Sequence, residues 1–228
     1  MRLSNRALLV TVVLVLLLVA AACSSNEPAA PAAAPAAPAV AATKAPAAAG
    51  SAVIFVVDPA QSEARFVINE ELMGSPKTVI GLNSGVSAEV TINPGDPASV
   101  QIGPISIDAD SFVTDSSKRN GAIQRFILQS SSYPNITFTP TAVEGVPGSV
   151  AVGAYLTLLV TGDLTIREIT RAETFAVTVE VISDSELHVG GATQILRENY
   201  ELTIPSVPSV ANVTNEVQLE FDFVAIAQ

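Results

Sequence analysis

Apolar and polar side chains alternate with a period of two along most of the chain after Ser51. The pattern is clearest in three runs: VSAEVTI at residues 86–92, TFAVTVEV at residues 174–181 and EVQLEFDF at residues 216–223. Strict alternation of this length is typical of antiparallel β-strands that bury one face and expose the other. Only residues 117–130 have a helical period, and it is weak. The alternation therefore predicts an all-β domain with one short helical segment.

The predicted strands are evenly spaced and separated by turn residues. Further strands are expected near residues 53–57, 63–69, 98–109, 136–144, 154–166 and 193–203. A change of apolar phase at Gly103-Pro104 indicates a bulge or bend, and Gly190-Gly191 indicates a turn. About eight such strands fit a β-sandwich or a closed barrel. A barrel hides its strand edges, and about eight strands enclose either packed side chains or one small ligand.

Residues 1–23 have the features of an export signal. Arg2 and Arg6 precede the apolar run ALLVTVVLVLLLV, and three alanines then lead to Cys23, the only cysteine of the chain. This arrangement resembles a bacterial lipoprotein signal, in which the cysteine is lipidated and becomes the first residue of the mature protein. An ordinary secreted protein cut nearby and an uncleaved membrane anchor are the alternatives. An exported chain with one cysteine has no internal disulfide partner, which favours lipidation of Cys23.

Residues 24–50 consist mainly of alanine and proline. Repeated proline stops helices, and the segment has almost no large apolar side chain to bury, so we expect a disordered or semi-extended tether. Residues 51–228 would then form one domain with a single core. Together these segments predict a membrane-anchored lipoprotein outside the cytoplasm, in the periplasm or at the cell surface.

The charge of the predicted domain excludes one class of partner. Residues 1–50 hold three of the 11 basic residues and one of the 22 acidic residues, which leaves a net charge of −13 for residues 51–228. A domain so acidic repels phosphate backbones, and nucleic acid is therefore not an expected partner.

The sequence offers no positive argument for an enzyme. His188 is the only histidine, which excludes a site with several histidine ligands, and its place in SDSELHVGG indicates a surface or loop position. Asp108 and Asp110 are spaced like metal ligands, but a solvated strand face has the same spacing. No phosphate-binding loop, dinucleotide fingerprint or nucleophilic serine elbow occurs. We therefore expect neither catalysis, nor a metal, nor a cofactor.

Basic residues are concentrated in TDSSKRNGAIQRFILQSSSYPNITF, residues 114–138. Lys118, Arg119 and Arg125 lie here, in a domain that has few other cations. At helical spacing, Ile123, Phe126 and Ile127 would all face the sheet. One interpretation is a lid whose cations are solvated or paired with aspartates. The other is a cavity mouth with an apolar wall and a cationic rim, which would suit an amphiphile with a long tail and an anionic or polar head.

Four segments occur in a distinctive order: VVDPAQSEARFVI, DSFVTDSSKRNGAIQRFILQSSSYPNITFTPTAV, VTGDLTIREITRAETFAVTV, and LRENYELTIPSV followed by NEVQLEFDFVA. In this order they resemble the YceI-like family of exported, lipocalin-like proteins that bind polyisoprenoids, over about residues 53–226. The chain departs from the family pattern at Asn120, where Asp is common, and near Ile123, where a His is common. Glu168 and Glu201 stand where the family usually has Gly.

The resemblance implies an eight-stranded antiparallel lipocalin-like barrel over residues 51–228, with an elongated apolar cavity and a small helical insertion at one end. The implied ligand is an isoprenoid lipid, either a quinone or a polyprenyl phosphate, held for carriage or storage. A ligand-free surface interaction or stress-protective barrel is the alternative, and a homodimer is an option. The side chains expected to contact the ligand are Val90, Phe112, Lys118, Arg119, Arg125, Phe126, Phe175, Val177, Val179, Leu219 and Phe221.

Overall fold

The computed structural model describes residues 51–228, and the expectations for residues 1–50, including lipidation of Cys23, lie outside this range. Thirteen antiparallel strands form one sheet. They are β1 Val53–Val57, β2 Glu63–Leu72, β3 Ser75–Asn83, β4 Val86–Ser87, β5 Glu89–Ile92, β6 Gln101–Ile102, β7 Ile105–Asp108, β8 Asn135–Glu144, β9 Tyr155–Ile166, β10 Ile169–Ser183, β11 Glu186–Leu196, β12 Val210–Ala211 and β13 Glu216–Ala227.

The thirteen strands make eight strand lines, because four of the lines are interrupted, among them the line of β12 and β13, which both pair with β2. β1 and β2 both pair with β13 and form the first line. β3, β4 and β5 form the second line, and β6 and β7 form the third. From β7 the pairing continues through β8, β9, β10 and β11 to β13. The sheet therefore curls until its lines meet, which confirms the predicted lipocalin-like barrel.

The predicted helical insertion is present. The helix α1 spans Ser117–Ala122 and continues as a π-helix over Ile123–Ile127. Single turns of 3-10 helix occupy Pro97–Ser99 and Arg197–Tyr200. Within residues 51–228, no helix has the length and apolar character needed to cross a membrane.

The predicted bend at Gly103-Pro104 is confirmed, since it separates β6 from β7. The strand β3 was not predicted, because its outward face is also apolar. Ile80 and Leu82 are exposed, whereas Gly81 lies on the inward face. A periodicity argument has no contrast to detect when both faces of a strand carry apolar residues.

The expected turn at Gly190-Gly191 is wrong, and His188, which is exposed as expected, lies within a strand and not between strands. All three residues lie inside β11, which begins at Glu186 and ends at Leu196, earlier than predicted. Gly191 pairs with Phe221 on β13, and a Cβ atom on Gly191 would lie only 2.4 Å from the Phe221 ring. The glycine therefore makes room for an aromatic ring within the sheet and does not mark a turn.

The two ends of the barrel differ in their packing. One end is filled by a cluster of buried side chains from β1, β2, β4, β11 and β13, together with Ala88. The other end holds the helical insertion, the tip of the β2–β3 hairpin and the segment that connects β11 to β13. In the part of the chain that the structure describes, the larger of the two apolar cavities lies beneath this second end, which makes it the candidate entrance for a ligand.

Candidate functional site

A cavity of about 540 Å³ lies beneath the helical insertion and is called here the outer cavity. Its walls come from β2, β3, β8, β9, β11, β13, the insertion and residues 202–213, and most of the lining side chains are apolar. They include Ile68, Val79, Ile123, Leu128, Ile195 and Val217. Lys118 and Val207 also line it and are exposed, so the outer cavity has its mouth between the insertion and the segment that follows β11. Its volume lies within the usual range for small-molecule sites.

A second, inner cavity of about 160 Å³ lies between the outer cavity and the packed end. Its lining is apolar except for Arg65 and Glu220, which pair with each other at 2.5 Å. Phenylalanine rings cover much of it: Phe138 and Phe175 meet edge to face with centroids 4.9 Å apart, and Phe221 stacks on Phe223 at 4.6 Å. The inner cavity can therefore hold only apolar groups at low cost.

Glycines on neighbouring strands let two rings lie flat against the barrel wall. Phe66 on β2 pairs with Gly81 on β3, and a Cβ atom on Gly81 would lie 2.1 Å from the Phe66 ring. Phe221 lies over Gly191 in the same way. A side chain at either glycine would push its ring toward the centre of the barrel. The two glycines thus help to keep the interior open.

We call residues 117–127 the lid, since they cover the outer cavity. Ser116 caps the helix, its hydroxyl accepting a hydrogen bond from the Arg119 backbone N–H at 3.4 Å. Asn120 accepts bonds from the backbone N–H and the hydroxyl of Thr114, at 2.8 and 2.7 Å. An asparagine oxygen can accept both bonds as a carboxylate oxygen would. Asn120 therefore provides the contacts that hold the start of the lid.

A chain of ion pairs fastens the lid to the β2–β3 hairpin. Arg119 donates to Glu70 at 2.6 Å and also to Asp115, while Lys77 binds Asp115 at 2.6 Å. The hydrogen bond from Lys77, with the nearby charge of Arg119, lowers the pKa of Asp115 below its ordinary value. The Glu70 side chain is only 7% exposed, so removing the guanidinium would leave a buried carboxylate without its ion-pair partner. Arg119 is therefore engaged twice before any ligand arrives.

The structure divides the predicted cationic rim. Lys118 and Arg119 line the outer cavity, but Arg125 does not: it donates to the Gly121 carbonyl and lies 5.9 Å over the ring of Phe126. Arg125 and Phe126 were expected to line the cavity, and the structure instead places both outside the lining of the outer cavity.

The position of Phe126 follows from the π-helix. The Leu128 N–H donates to the Ile123 carbonyl at 2.8 Å, a bond from residue i to residue i+5. In this wider turn, residues four apart share a face, whereas a residue three positions on is rotated away. Ile123 and Ile127 therefore face the outer cavity, and Phe126 is 59% exposed.

Most of the predicted inward side chains do line a cavity. Phe112 and Leu219 line both cavities, and the inner cavity is also lined by Val90, Phe175, Val177 and Phe221. Val179 is inward-facing and packs against the core without lining either cavity. The strand phases read from the sequence are thus correct at these positions, while contact of these side chains with a ligand stays a prediction.

Two charged residues of the outer cavity were missed in the sequence. Glu70 follows Phe66 and Ile68 at a period of two, so it falls on the inward face of β2. Arg197 follows the buried Ile195 in the same way and donates to the carbonyls of Thr214 and Leu202 at 3.1 and 3.2 Å. In both cases the sequence shows a charged residue at a position that the period of two assigns to the apolar, inward face, and this could have identified them. Arg197 makes no ion pair within residues 51–228.

Asp108 and Asp110 hold a turn together. Asp108 accepts bonds from the Asp110 N–H and the Ser111 hydroxyl, at 2.9 and 2.5 Å. Asp110 accepts from the Ser130 hydroxyl at 2.6 Å, which ties the segment just after the lid to this turn. Among residues 51–228, no group of three or more His, Cys, Asp or Glu side chains is arranged to hold a metal ion.

The family model described as the YceI-like domain matches residues 55–225. A search of curated protein sequences found no significant match.

Several solved structures share the fold. A polyisoprenoid-binding domain from Saccharophagus degradans, described as implicated in plant cell wall breakdown, is 18% identical. It aligns with 76% of this chain and 98% of its own, with a TM-score of 0.61. BcnA from Burkholderia cenocepacia is 27% identical and aligns with 74% of this chain and 98% of its own, with a TM-score of 0.53.

A YceI protein from Campylobacter jejuni is 17% identical and aligns with 65% of this chain and 84% of its own, with a TM-score of 0.52. The first and last of these likenesses support the barrel fold alone. The family model, by contrast, matches well over half of the chain, with strand order and insertion in place. The chain therefore belongs to the YceI-like family.

Proposed function

We propose that this protein holds an isoprenoid lipid in its barrel, with the tail in the outer cavity, and carries or stores it without chemical change. The observation that supports this most is the outer cavity itself: about 540 Å³ of mainly apolar space that opens beside the lid. The similar domain from Saccharophagus degradans is described as polyisoprenoid-binding, which names the ligand class to test first.

The energy for binding would come from the tail. Each methylene moved from water into an apolar cavity contributes about 0.8 kcal/mol. Ten such groups give about 8 kcal/mol before the cost of immobilising the ligand, which corresponds to roughly micromolar affinity. A hydrocarbon tail can therefore be held without a strong polar contact, and the apolar lining of both cavities suits this mode of binding.

The head group would lie near the mouth, where cations are present. Arg119 is held by Glu70 and Asp115, so Lys118 and Arg197 are the cations of the outer cavity that form no ion pair within residues 51–228. They could meet a polyprenyl phosphate through charge-assisted hydrogen bonds, each worth about 1.5–3 kcal/mol when shielded from water. A quinone head is neutral and would gain much less from them.

A binding role without catalysis agrees with the chemistry at the site. His188, the only histidine, lies on the outer face of β11 and contacts Glu186 at 2.9 Å, away from both cavities. The carboxylates of Asp108 and Asp110 accept hydrogen bonds that hold the turn together. The outer cavity holds a pair of charged residues that neutralise one another, Glu70 and Arg119.

Export and tethering complete the proposal. Residues 1–23 would direct export and supply Cys23 for lipidation, and residues 24–50 would hold the domain away from the membrane. Mass spectrometry of the mature N-terminal peptide tests this directly. We expect an acyl-modified Cys23, and Cys23→Ser should leave the signal uncleaved by the lipoprotein peptidase. A mature peptide without acyl mass would refute the anchor. Self-association as a homodimer stays a prediction.

The ligand is tested in two steps. Protein purified from its native membrane fraction is extracted with organic solvent, and the extract is examined for isoprenoids by mass spectrometry. A quinone and a polyprenyl phosphate are then titrated into the delipidated protein. If neither experiment finds an isoprenoid bound, the alternative of a ligand-free interaction or stress-protective barrel replaces this proposal.

Matched variants identify the head group. Lys118→Gln and Arg197→Gln together should weaken polyprenyl phosphate about tenfold or more, equivalent to 1.4 kcal/mol, and leave the quinone almost unchanged. Arg125→Gln is the control, since it removes a cation from the lid that does not line the outer cavity. The same loss from Arg125→Gln would mean that only the general charge of the lid matters.

A further inference from the structure

The two cavities adjoin, and aromatic rings stand between them. Five residues line both: Phe66, Phe112, Ile136, Ile166 and Leu219. The ring centroids of Phe66 and Phe112 are 5.5 Å apart with an interplanar angle of 53°. Space continues on either side of this pair, toward the mouth and toward the packed end. The pair therefore forms a partition inside one elongated interior.

The two rings of the partition are fixed in different ways. Phe112 is buried, and its neighbour Val113 exchanges two backbone hydrogen bonds with Leu82, at 2.9 and 2.8 Å. Phe66 is only half-buried, and its ring lies directly over Gly81. The Phe66 ring already lies against Gly81, so any displacement away from this wall would carry it toward the interior. Phe112 is thus held by its burial and by the backbone pairing beside it, whereas the place of the Phe66 ring depends on the space that Gly81 leaves.

We propose that the Phe66–Phe112 partition sets the length of isoprenoid tail that the barrel holds, with Gly81 keeping the Phe66 ring withdrawn. The inference rests on the proposed function, since it concerns the tail of the same ligand. A short tail fills the outer cavity and stops at the partition. Longer tails gain nothing from the inner cavity unless the Phe66 ring is removed, and their extra units stay at the mouth.

Two substitutions should move the limit in opposite directions. Phe66→Ala joins the two cavities, so affinity should continue to rise with chain length beyond the point where the wild-type protein stops gaining. Gly81→Ala places a methyl group where the Phe66 ring now lies, so the ring must turn toward Phe112 and the limit should fall. A residue that only stabilised the fold would not give opposite changes in length preference.

The experiment titrates the wild-type and variant proteins with farnesol, geranylgeraniol and longer all-trans polyprenols, which share one neutral head. The readout is the chain length at which affinity stops rising. For the first alcohol beyond the wild-type limit, Phe66→Ala should bind at least tenfold more tightly than the wild-type protein. Phe66→Leu serves as a second opening variant if Phe66→Ala does not fold, with unfolding measured in parallel.

Phe221→Ala is the matched control. Phe221 also lies over a glycine, Gly191, but it lines only the inner cavity, beyond the partition. Enlarging the inner cavity should leave the length limit unchanged while the partition stands. An equal shift from Phe221→Ala, or no shift from Phe66→Ala and Phe66→Leu, would overturn the partition but leave isoprenoid binding intact. Failure of every alcohol to bind any of the proteins would overturn the proposed function and the partition with it.

Discussion

The wall of the barrel and its lid are held by contacts of different kinds. In the wall, residues 169–180 of β10 pair with residues 155–166 of β9 without a break in register, and inward side chains fill the space behind them. The lid has no strand partner. It is held by side-chain hydrogen bonds at Asn120, by the bond of Ser130 just after it, and by the ion pair between Arg119 and Glu70.

This difference indicates where each region is sensitive to change. The wall depends on burial, which alternates with every residue, so adjacent positions should differ greatly in their tolerance of charge. The lid depends on a few charged and polar groups, so single substitutions there should loosen it without unfolding the barrel. The following predictions test that contrast.

The largest effect is expected inside the wall. Val177→Asp places a carboxylate without a partner in the lining of the inner cavity, where Val177 is 5% exposed. We expect a loss of about 3–5 kcal/mol in the free energy of unfolding, or a strongly raised pKa of the new carboxyl group. Ala176→Asp is the control, because Ala176 is exposed on the opposite face of β10. Equal urea midpoints for the two variants would mean that the faces have been assigned incorrectly.

The second largest effect is expected for a substitution in the lid, and it should be confined to the lid. Arg119→Gln leaves Glu70 buried without its ion pair, and we expect a cost of about 2–3 kcal/mol. Hydrogen exchange should become faster over residues 115–128 and stay unchanged over β9 and β10. Glu70→Gln combined with Arg119→Gln should cost less than the sum of the two single changes. Uniformly faster exchange throughout the barrel would show that the lid is not a separate unit.

In the wall, alanine substitutions at two adjacent glycines should differ in their cost to stability. Gly191→Ala forces a methyl group against the ring of Phe221, only 2.4 Å away, and overpacking of this kind costs about 1–3 kcal/mol. Gly190→Ala meets the side-chain ends of Asp222 and Thr178, each at 3.3 Å, and the Phe221 carbonyl at an ordinary contact distance of 3.8 Å, so it should be nearly neutral. Melting temperatures of the two variants test this, and the contrast disappears if Phe221 can move freely.

The wall was the region that sequence could predict. In the middle of β10 and at the start of β13, burial alternates between neighbouring residues, and apolar side chains recur at every second position, so a period of two identified the inward faces that include Val177 and Leu219. The strand β3 was missed for the same physical reason, because its two faces carry similar residues. Gly191 was misread because a glycine that accommodates a ring looks the same in sequence as a glycine in a turn.

The sequence predicted that a helical insertion would lie at a cavity mouth, but it did not predict the contacts that the insertion makes. Weak helical spacing and a cluster of cations indicated an insertion at a cavity mouth. Which cations face the cavity depends on the π-helix, and on Glu70, a partner far away in sequence. Neither is encoded in a local period. The family resemblance identified the segment and the fold, while the separation of the two cavities by Phe66 and Phe112 required side-chain positions.

The smallest predicted effect concerns the segment between β11 and β13, where Tyr200 is fully buried and donates to Glu173 on β10 at 2.9 Å. Burial, followed by this bond to a carboxylate, raises the pKa of Tyr200 well above its ordinary value. Tyr200→Phe removes one hydrogen bond, and we expect a cost of about 1 kcal/mol at neutral pH.

The pH dependence of this bond has a definite sign. The unfolded chain releases the Tyr200 proton near pH 10, the ordinary pKa of tyrosine, whereas the folded chain retains it. The folded state therefore binds more protons above that pH, and the free energy of unfolding must fall as pH rises. Unfolding measured between pH 8 and 11 should show this decline in the wild-type protein and a smaller decline in Tyr200→Phe. Tyr133→Phe, which removes a more exposed bond to Glu168, should change the slope less. If the free energy of unfolding falls equally with pH in the wild-type protein and in Tyr200→Phe, folding does not raise the pKa of Tyr200.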